Sequence, residues 1–322
     1  MIIAFTTTVS AILKLFLISL GGYGIVRFGI FKKESINDLA RLILYLLVPS
    51  LLFVKMFGRF NVQLLRELAV IPVASLLLTM LAGFLALGGG LFLRIPAEKR
   101  NVFFASVLFG NSGYIPIPLV LALFPGEKGD LAVLYISLFL LVFSPMLWTL
   151  GVYLVGRNPH VRMPLRSLLS PPFVGILLGV CFSLIPPLRH FLEGPGSFLV
   201  ELGEILGDAT VPMAMVLIGA VIAGLEIKPG PKWKIIAGIS FLKLFLLPAL
   251  VILILYFLPL PNLVRFVIAL EAAVPPATNL VVIARTYQRP ADLISLTLFV
   301  TYLTALVTIP LFILLSSRLF PV

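Results

Sequence analysis

The sequence predicts an all-α polytopic membrane protein, with ten transmembrane helices arranged as two inverted repeats of five and with helices 4 and 9 broken. Three observations carry this. Hydrophobic residues make up 61% of the chain and charged residues only 11%, where a soluble domain carries about 25% charged. The apolar residues come in runs of about 20 or more, the length that crosses ~30 Å of hydrocarbon. Two of these runs are interrupted alike, by Pro116 and Pro118 in one and by Pro275 and Pro276 in the other, each with polar side chains beside the prolines.

The runs place spans at 7–30, 36–57, 67–93, 99–124, 131–156, 168–188, 198–224, 233–258, 263–286 and 292–316. Span 1 carries Lys14, whose long stem lets its charge snorkel toward the surface. Span 2 contains Val48-Pro49 and span 7 contains Val211-Pro212, a matched pair of hinge prolines. Away from their ends, spans 3 and 8 carry no charge apart from Lys243 in the second of them. Spans 4 and 9 hold the interruptions. Span 6 carries Gly175 and Gly179, and span 7 carries Gly203 and Gly207; this small-xxx-small spacing lets helices approach closely. Between spans 5 and 6 lies the longest connection, residues 157–167, basic and containing Pro159 and Pro164. It divides the chain into a first five-span repeat (1–156) and a second (168–322). An odd number of spans per half makes the two repeats inverted.

Lys and Arg set the orientation. Of the 24, fifteen fall in the loops on one side and seven on the other, with Lys14 and Lys243 inside spans. The richer side is the cytoplasmic one, so both termini face outward from an inner (cytoplasmic) membrane. The start of the chain shows no basic region and no small-residue cleavage site, so no removable signal peptide is expected. The net charge of +11 is scattered at span ends, which suits a lipid bilayer and not nucleic acid. The one cysteine, Cys181, excludes an internal disulfide, and His160 and His190 both lie in loops. No metal site or cofactor is expected, and no nucleophile set at membrane depth suggests an enzyme.

A broken backbone inside hydrocarbon is tolerated only where protein or a water-filled cavity satisfies it. Each interrupted span becomes two half-helices, and the second half of each begins at the break. Its free N–H groups and positive dipole end then point into the protein. Spans 4 and 9 run antiparallel, so crossing them brings two positive helix ends to one place, which suits an anion. Asn111, Ser112, Tyr114, Thr278 and Asn279 add side-chain donors and acceptors there. The alternative is a pair of proline kinks, with Asn and Ser repairing broken backbone bonds.

The run Gly110-Asn111-Ser112-Gly113-Tyr114-Ile115-Pro116-Ile117-Pro118-Leu119 resembles the fourth helix of the auxin efflux carrier (PIN-like) family. Ala273-Val274-Pro275-Pro276-Ala277-Thr278-Asn279 resembles its ninth helix, Leu46 to Phe53 its second, and Lys243 followed by Pro248 its eighth. The chain thus looks like a bacterial member, although the family pattern has glycine where Pro116 stands. The resemblance implies a scaffold of helices 1, 2, 6 and 7 and a moving unit of helices 3–5 and 8–10. It further implies a homodimer that carries small carboxylates by an elevator-like motion. At the two breaks the substrate is expected to meet Asn111, Ser112, Gly113, Tyr114, Pro116, Pro275, Pro276, Thr278 and Asn279, with Pro49, Pro118 and Pro212 as hinge or crossover residues.

Three charges inside spans call for a reason, since each costs about 2.5–3.5 kcal/mol at a helix centre. Glu271, one turn before Pro275, either binds Na⁺ or a proton for coupling, or pairs statically with Lys243 or Arg265. Asp208, one turn before Pro212, faces the cavity between scaffold and moving unit on this reading. Lys243 either neutralises one of these carboxylates or attracts the substrate's. An anion channel and a Na⁺-coupled symporter resembling the bile-acid carriers are the competing functions.

Overall fold

Apolar runs of this length leave the backbone one choice in hydrocarbon, to satisfy its own polar groups as helix. The computed structural model describes residues 2–60, 69–156, 169–224 and 232–322. The proposed linker 157–167, with Pro159, His160 and Pro164, lies outside the described residues. In chain order the described helices are α1 (Ile2–Arg27), α2 (Ser35–Arg59), α3 (Val70–Phe92), α4 (Ala97–Leu108), α5 (Pro116–Leu123), α6 (Glu127–Gly156), α7 (Pro171–Leu184), α8 (Pro186–Glu193), α9 (Ser197–Ala223), α10 (Trp233–Phe257), α11 (Asn262–Ala273), α12 (Asn279–Thr286) and α13 (Asp292–Leu319). Among the described residues, six helices are long and apolar enough to cross a membrane, and the bent pair α7–α8 makes a seventh.

One expected span is shorter than its hydrophobicity suggests. The run 168–188 stops being straight at Leu184, and the chain turns by 96° into α8. The cause is Pro186-Pro187. A residue before proline is pushed out of the helical region, and Ile185 is extended, with φ −93° and ψ 107°.

Prolines inside the other helices are absorbed differently. In α2 a wide π-helical turn, Ile43–Leu47, precedes Pro49; in α10 another, Leu242–Leu246, precedes Pro248. Proline withholds a donor and its ring collides with the carbonyl four residues back. A local extra residue in the turn relieves that collision without breaking the helix.

Packing sorts the helices into two groups. In the first, α2 packs on α7 and α9, and α1 on α9. Small residues make these contacts: a Cβ built on Gly175 would stand 2.5 Å from the Pro49 carbonyl oxygen, and one on Gly179 2.7 Å from that of Phe53. Gly203 and Gly207 press on Val54 and Leu51 of the same helix. In the second group, α3 packs on α4 and α6, and α10 and α13 pack on α11. Its interior is aromatic around Phe109, Phe139 and Phe143, with Phe109 edge-on to Phe143 at 5.9 Å. The two groups meet along α2–α6, α6–α7, α1–α5 and α1–α13.

Candidate functional site

Two breaks in helix meet at the centre of the second group. Helix α4 ends at Leu108, and Phe109 is extended at φ −99°, ψ 108°. Helix α5 restarts at Pro116, with Pro118 still in its first turn, where a missing N–H costs no intrahelical bond. The other break follows the same logic. Helix α11 ends at Ala273, and Val274, held extended by Pro275 behind it, has φ −74° and ψ 146°. Helix α12 begins at Asn279.

The freed backbone groups pair with each other. Asn111 N–H donates to the Pro275 carbonyl at 2.8 Å, and Ala277 N–H donates to the Phe109 carbonyl at 2.9 Å. Gly110 and Pro276 face one another at the middle of this antiparallel bridge. Exchanging residues 109 and 111 with 275 and 277 turns one bond into the other, so the junction has a local twofold through Gly110 and Pro276. Only a residue without a side chain suits Gly110. A Cβ there would stand 2.7 Å from Val274 Cγ2 and 3.1 Å from Lys243 Nζ.

The polar side chains expected at the breaks are gathered here. Asn111, Ser112, Tyr114 and Thr278 are buried, and Gly113 and Asn279 are half-buried. The Asn111 amide is held at both ends: Nδ2 donates to Tyr302 Oη at 2.5 Å, and Oδ1 accepts from Tyr114 N–H at 3.2 Å. Tyr302 comes from the middle of α13 and is absent from the sequence-based site. A phenol inside an apolar span at a four-residue step from Leu298 was its one available signal.

Two small cavities flank the junction. One, of about 40 Å³, lies between α2, α6 and α7; Asn111, Ser112, Gly113 and Asn279 face Leu44, Val48, Phe143 and Trp148 across it. The other, of about 50 Å³, lies between α2, α9 and α12 and reaches Asn37 and Arg285. Tyr114 and Asn279 line both and stand between them. Each space suits a few waters at most.

Behind the junction sit two buried charges. Lys243 is fully buried and Glu271 is 1% exposed. They act on each other electrostatically, and Ser112 lies beside Glu271. Even so, among the described residues neither Lys243 Nζ nor either Glu271 oxygen closes a hydrogen bond. Lys243 and Glu271 are thus electrostatic neighbours without a direct ion-pair contact. Nor is such a contact made with Arg265, whose guanidinium lies 5.4 Å from the Phe320 ring instead. Asp208 is not brought to the junction: it is exposed on α9, while neighbouring Gly207 is the residue that packs inward. Pro212 is also exposed, and Pro49 lies against Gly175 in the α2–α7 contact. Pro116, Pro118, Pro275 and Pro276 are buried at the junction.

Comparison with known proteins gives a consistent picture. A family described as membrane transport protein matches residues 7–163 and 157–313. An uncharacterized transporter of Methanocaldococcus jannaschii is 26% identical over 307 residues, covering 93% of this chain and 96% of that one. PIN-LIKES 1 of Arabidopsis thaliana is 23% identical over 372 residues, covering 95% of this chain and 78% of its own. PIN-LIKES 5 of the same plant is 30% identical over 155 residues, 45% of this chain and 39% of its own.

Proposed function

This chain belongs to the membrane transport protein family, and we propose that it is a secondary transporter of small organic anions that works by elevator-type alternating access around the two crossed breaks. Its family is described as membrane transport protein and its archaeal relative is named a transporter, and it is a multi-pass membrane protein. The observation that carries the proposal is the backbone pairing of 109–111 with 275–277. It sets the starts of α5 and α12 beside buried amide and hydroxyl side chains, deep in apolar surroundings where such groups are costly unless used.

The local twofold of the junction favours ten spans in two inverted five-span repeats, 1–156 and 168–322, joined by 157–167. The two packing groups then correspond to a scaffold and a moving unit. The Lys and Arg bias favours an inner-membrane location with both termini outside. Two small cavities separated by Tyr114 and Asn279 suit a carrier that closes around its cargo better than a continuous channel.

The cavities also narrow the cargo. Among the described residues no charged side chain lines the one beside Asn111, and its far wall is Leu140, Phe143, Leu147 and Trp148. A second carboxylate placed there would be buried without a partner, at a cost of several kcal/mol. A monocarboxylate with an apolar body matches the chemistry of this wall better than malonate or malate, once the moving unit opens the space beyond its present volume of about 40 Å³. Glu271, buried beside Lys243, is the group on which coupling to a proton or Na⁺ would rest.

The test is uptake by purified protein in liposomes, with phenylacetate and malonate as probes. Asn111→Ala and Asn279→Ala should abolish uptake while leaving folded protein in the membrane. Wild-type rates in both variants would remove the junction from the transport path. Faster uptake of malonate than of phenylacetate would reject the substrate class.

A further inference from the structure

The seam between the two helix groups contains the cavity beside Asn111, with Leu44 and Val48 facing it from α2 and Phe143 and Trp148 from α6. One end of that seam is pinned by charge. Lys55 and Arg59 stand one turn apart on α2, roughly 10 Å and 16 Å beyond Val48 along the axis. Both reach Asp130, in the first turn of α6. Lys55 Nζ lies 2.6 Å from Asp130 Oδ1, and Arg59 Nη2 lies 3.4 Å from Oδ2. The three side chains keep only 22–34% of their exposure. Partial withdrawal from water strengthens such attraction beyond that of a surface pair. Two cations converging on one carboxylate also make a network, the circumstance in which ion pairs matter.

The other end of the seam is held more loosely. Asn37, near the start of α2, accepts from Arg285 Nη1 of α12 at 3.4 Å. That contact is exposed, involves one neutral partner and is near the limit of hydrogen-bond length. The grip on the two ends is therefore unequal, and the firmer one crosses from one helix group to the other.

We propose that Lys55, Arg59 and Asp130 form an ionic latch that shuts this end of the seam and must part in each transport cycle. The latch rests on the reading of the two helix groups as units that slide past one another. It gives the protein a preferred resting state, closed at the Lys55 end, with Asp130 carried away from α2 whenever the moving unit shifts. Salt weakens the latch, since the Debye length falls to about 3 Å at 1 M.

The test measures a distance, so it needs no identified cargo. Spin labels are placed through Gly58→Cys, where a side chain meets nothing within 4 Å, and Glu127→Cys, which is exposed, on a Cys181→Ser background. Pulsed dipolar spectroscopy in liposomes then reads the separation of the ends of α2 and α6. At low salt the latched protein should give one short distance. Asp130→Asn should raise a longer-distance population about tenfold, the change that ~1.4 kcal/mol makes, and Asp130→Glu should keep the short one. Raising NaCl to 1 M should move the latched protein the same way and leave Asp130→Asn unmoved; this arm needs no latch variant to fold. An unchanged distance distribution in Asp130→Asn at low salt, or no salt response in the latched protein, overturns the latch. If distances shift while neither phenylacetate nor malonate is taken up, the latch stands and the organic-anion reading falls. If uptake runs and distances stay fixed, the latch alone falls.

Discussion

The side-chain amide of Asn111 donates to the hydroxyl of Tyr302 at 2.5 Å across 191 residues of chain. With Oδ1 already taken by Tyr114 N–H, the amide cannot turn over. The orientation of the polar group nearest the crossing is thus set by Tyr114 N–H, which can only donate, while Tyr302 of α13 anchors the other end of the amide.

Tyr302→Phe should free that amide while keeping the ring in place. A buried donor left without its partner costs about 1–3 kcal/mol. The apparent KM for uptake should rise about tenfold, the equivalent of ~1.4 kcal/mol, with protein yield unchanged. An unaltered KM would show that the amide orientation is immaterial to binding.

Gly110→Ala should damage the crossing itself. The new methyl would meet Val274 Cγ2 at 2.7 Å, so the Val274 side chain or the backbone that carries it must shift. Overpacking of this kind costs typically 1–3 kcal/mol, readable as a lower melting temperature in detergent. Gly21→Ala is the control, because nothing lies within 4 Å of a Cβ there. It should match or slightly exceed the wild-type stability. Equal melting temperatures for both variants would contradict the close approach at Gly110.

Lys243 and Glu271 should behave as a coupled pair. Removing one charge leaves the other buried and uncompensated, which costs about 3–5 kcal/mol. Lys243→Met and Glu271→Gln should each lower the melting temperature, and the double variant should recover much of the loss. Strict additivity in that cycle would mean that the two charges are independent. Glu271→Gln should also remove any response of uptake to a proton or Na⁺ gradient; an unchanged response would leave Glu271 a purely electrostatic role.

Gly175→Leu should disrupt the first helix group. A Cβ alone would come within 2.5 Å of the Pro49 carbonyl oxygen, and a whole isobutyl group has nowhere to go. Loss of folded protein on size-exclusion chromatography is the expected result. A monodisperse, active variant would show that α7 does not depend on close contact with α2.

Much of this arrangement was readable before any coordinates, for definite reasons. Prolines and polar residues inside an apolar run have few tolerable explanations in lipid, so Asn111, Thr278 and the four crossing prolines stood out. The glycines of α7 and α9 were readable as packing contacts because four-residue spacing puts them on one face. Other features escaped. Tyr302 looks like any core aromatic, since its role lies in the partner it meets. The packed face that Gly203 and Gly207 mark lies one position away from Asp208 and leaves that carboxylate exposed. The bend at Ile185 sat within an otherwise spanning run, where hydrophobicity outvoted Pro186 and Pro187. The ion pairs of Asp130 depend on how α6 lies against α2, which no local pattern encodes.

The junction of the two breaks is made from main-chain amides and carbonyls, which every residue but proline supplies in full. Apart from Gly110 and the prolines that break the helices, its geometry therefore places little demand on side-chain chemistry. The walls around it, from Leu44 to Trp148, are free to be exchanged for other shapes while the joint persists. Such a division of labour lets one architecture be retargeted to new cargo by wall substitutions alone, without first dismantling the part that holds the two half-chains together.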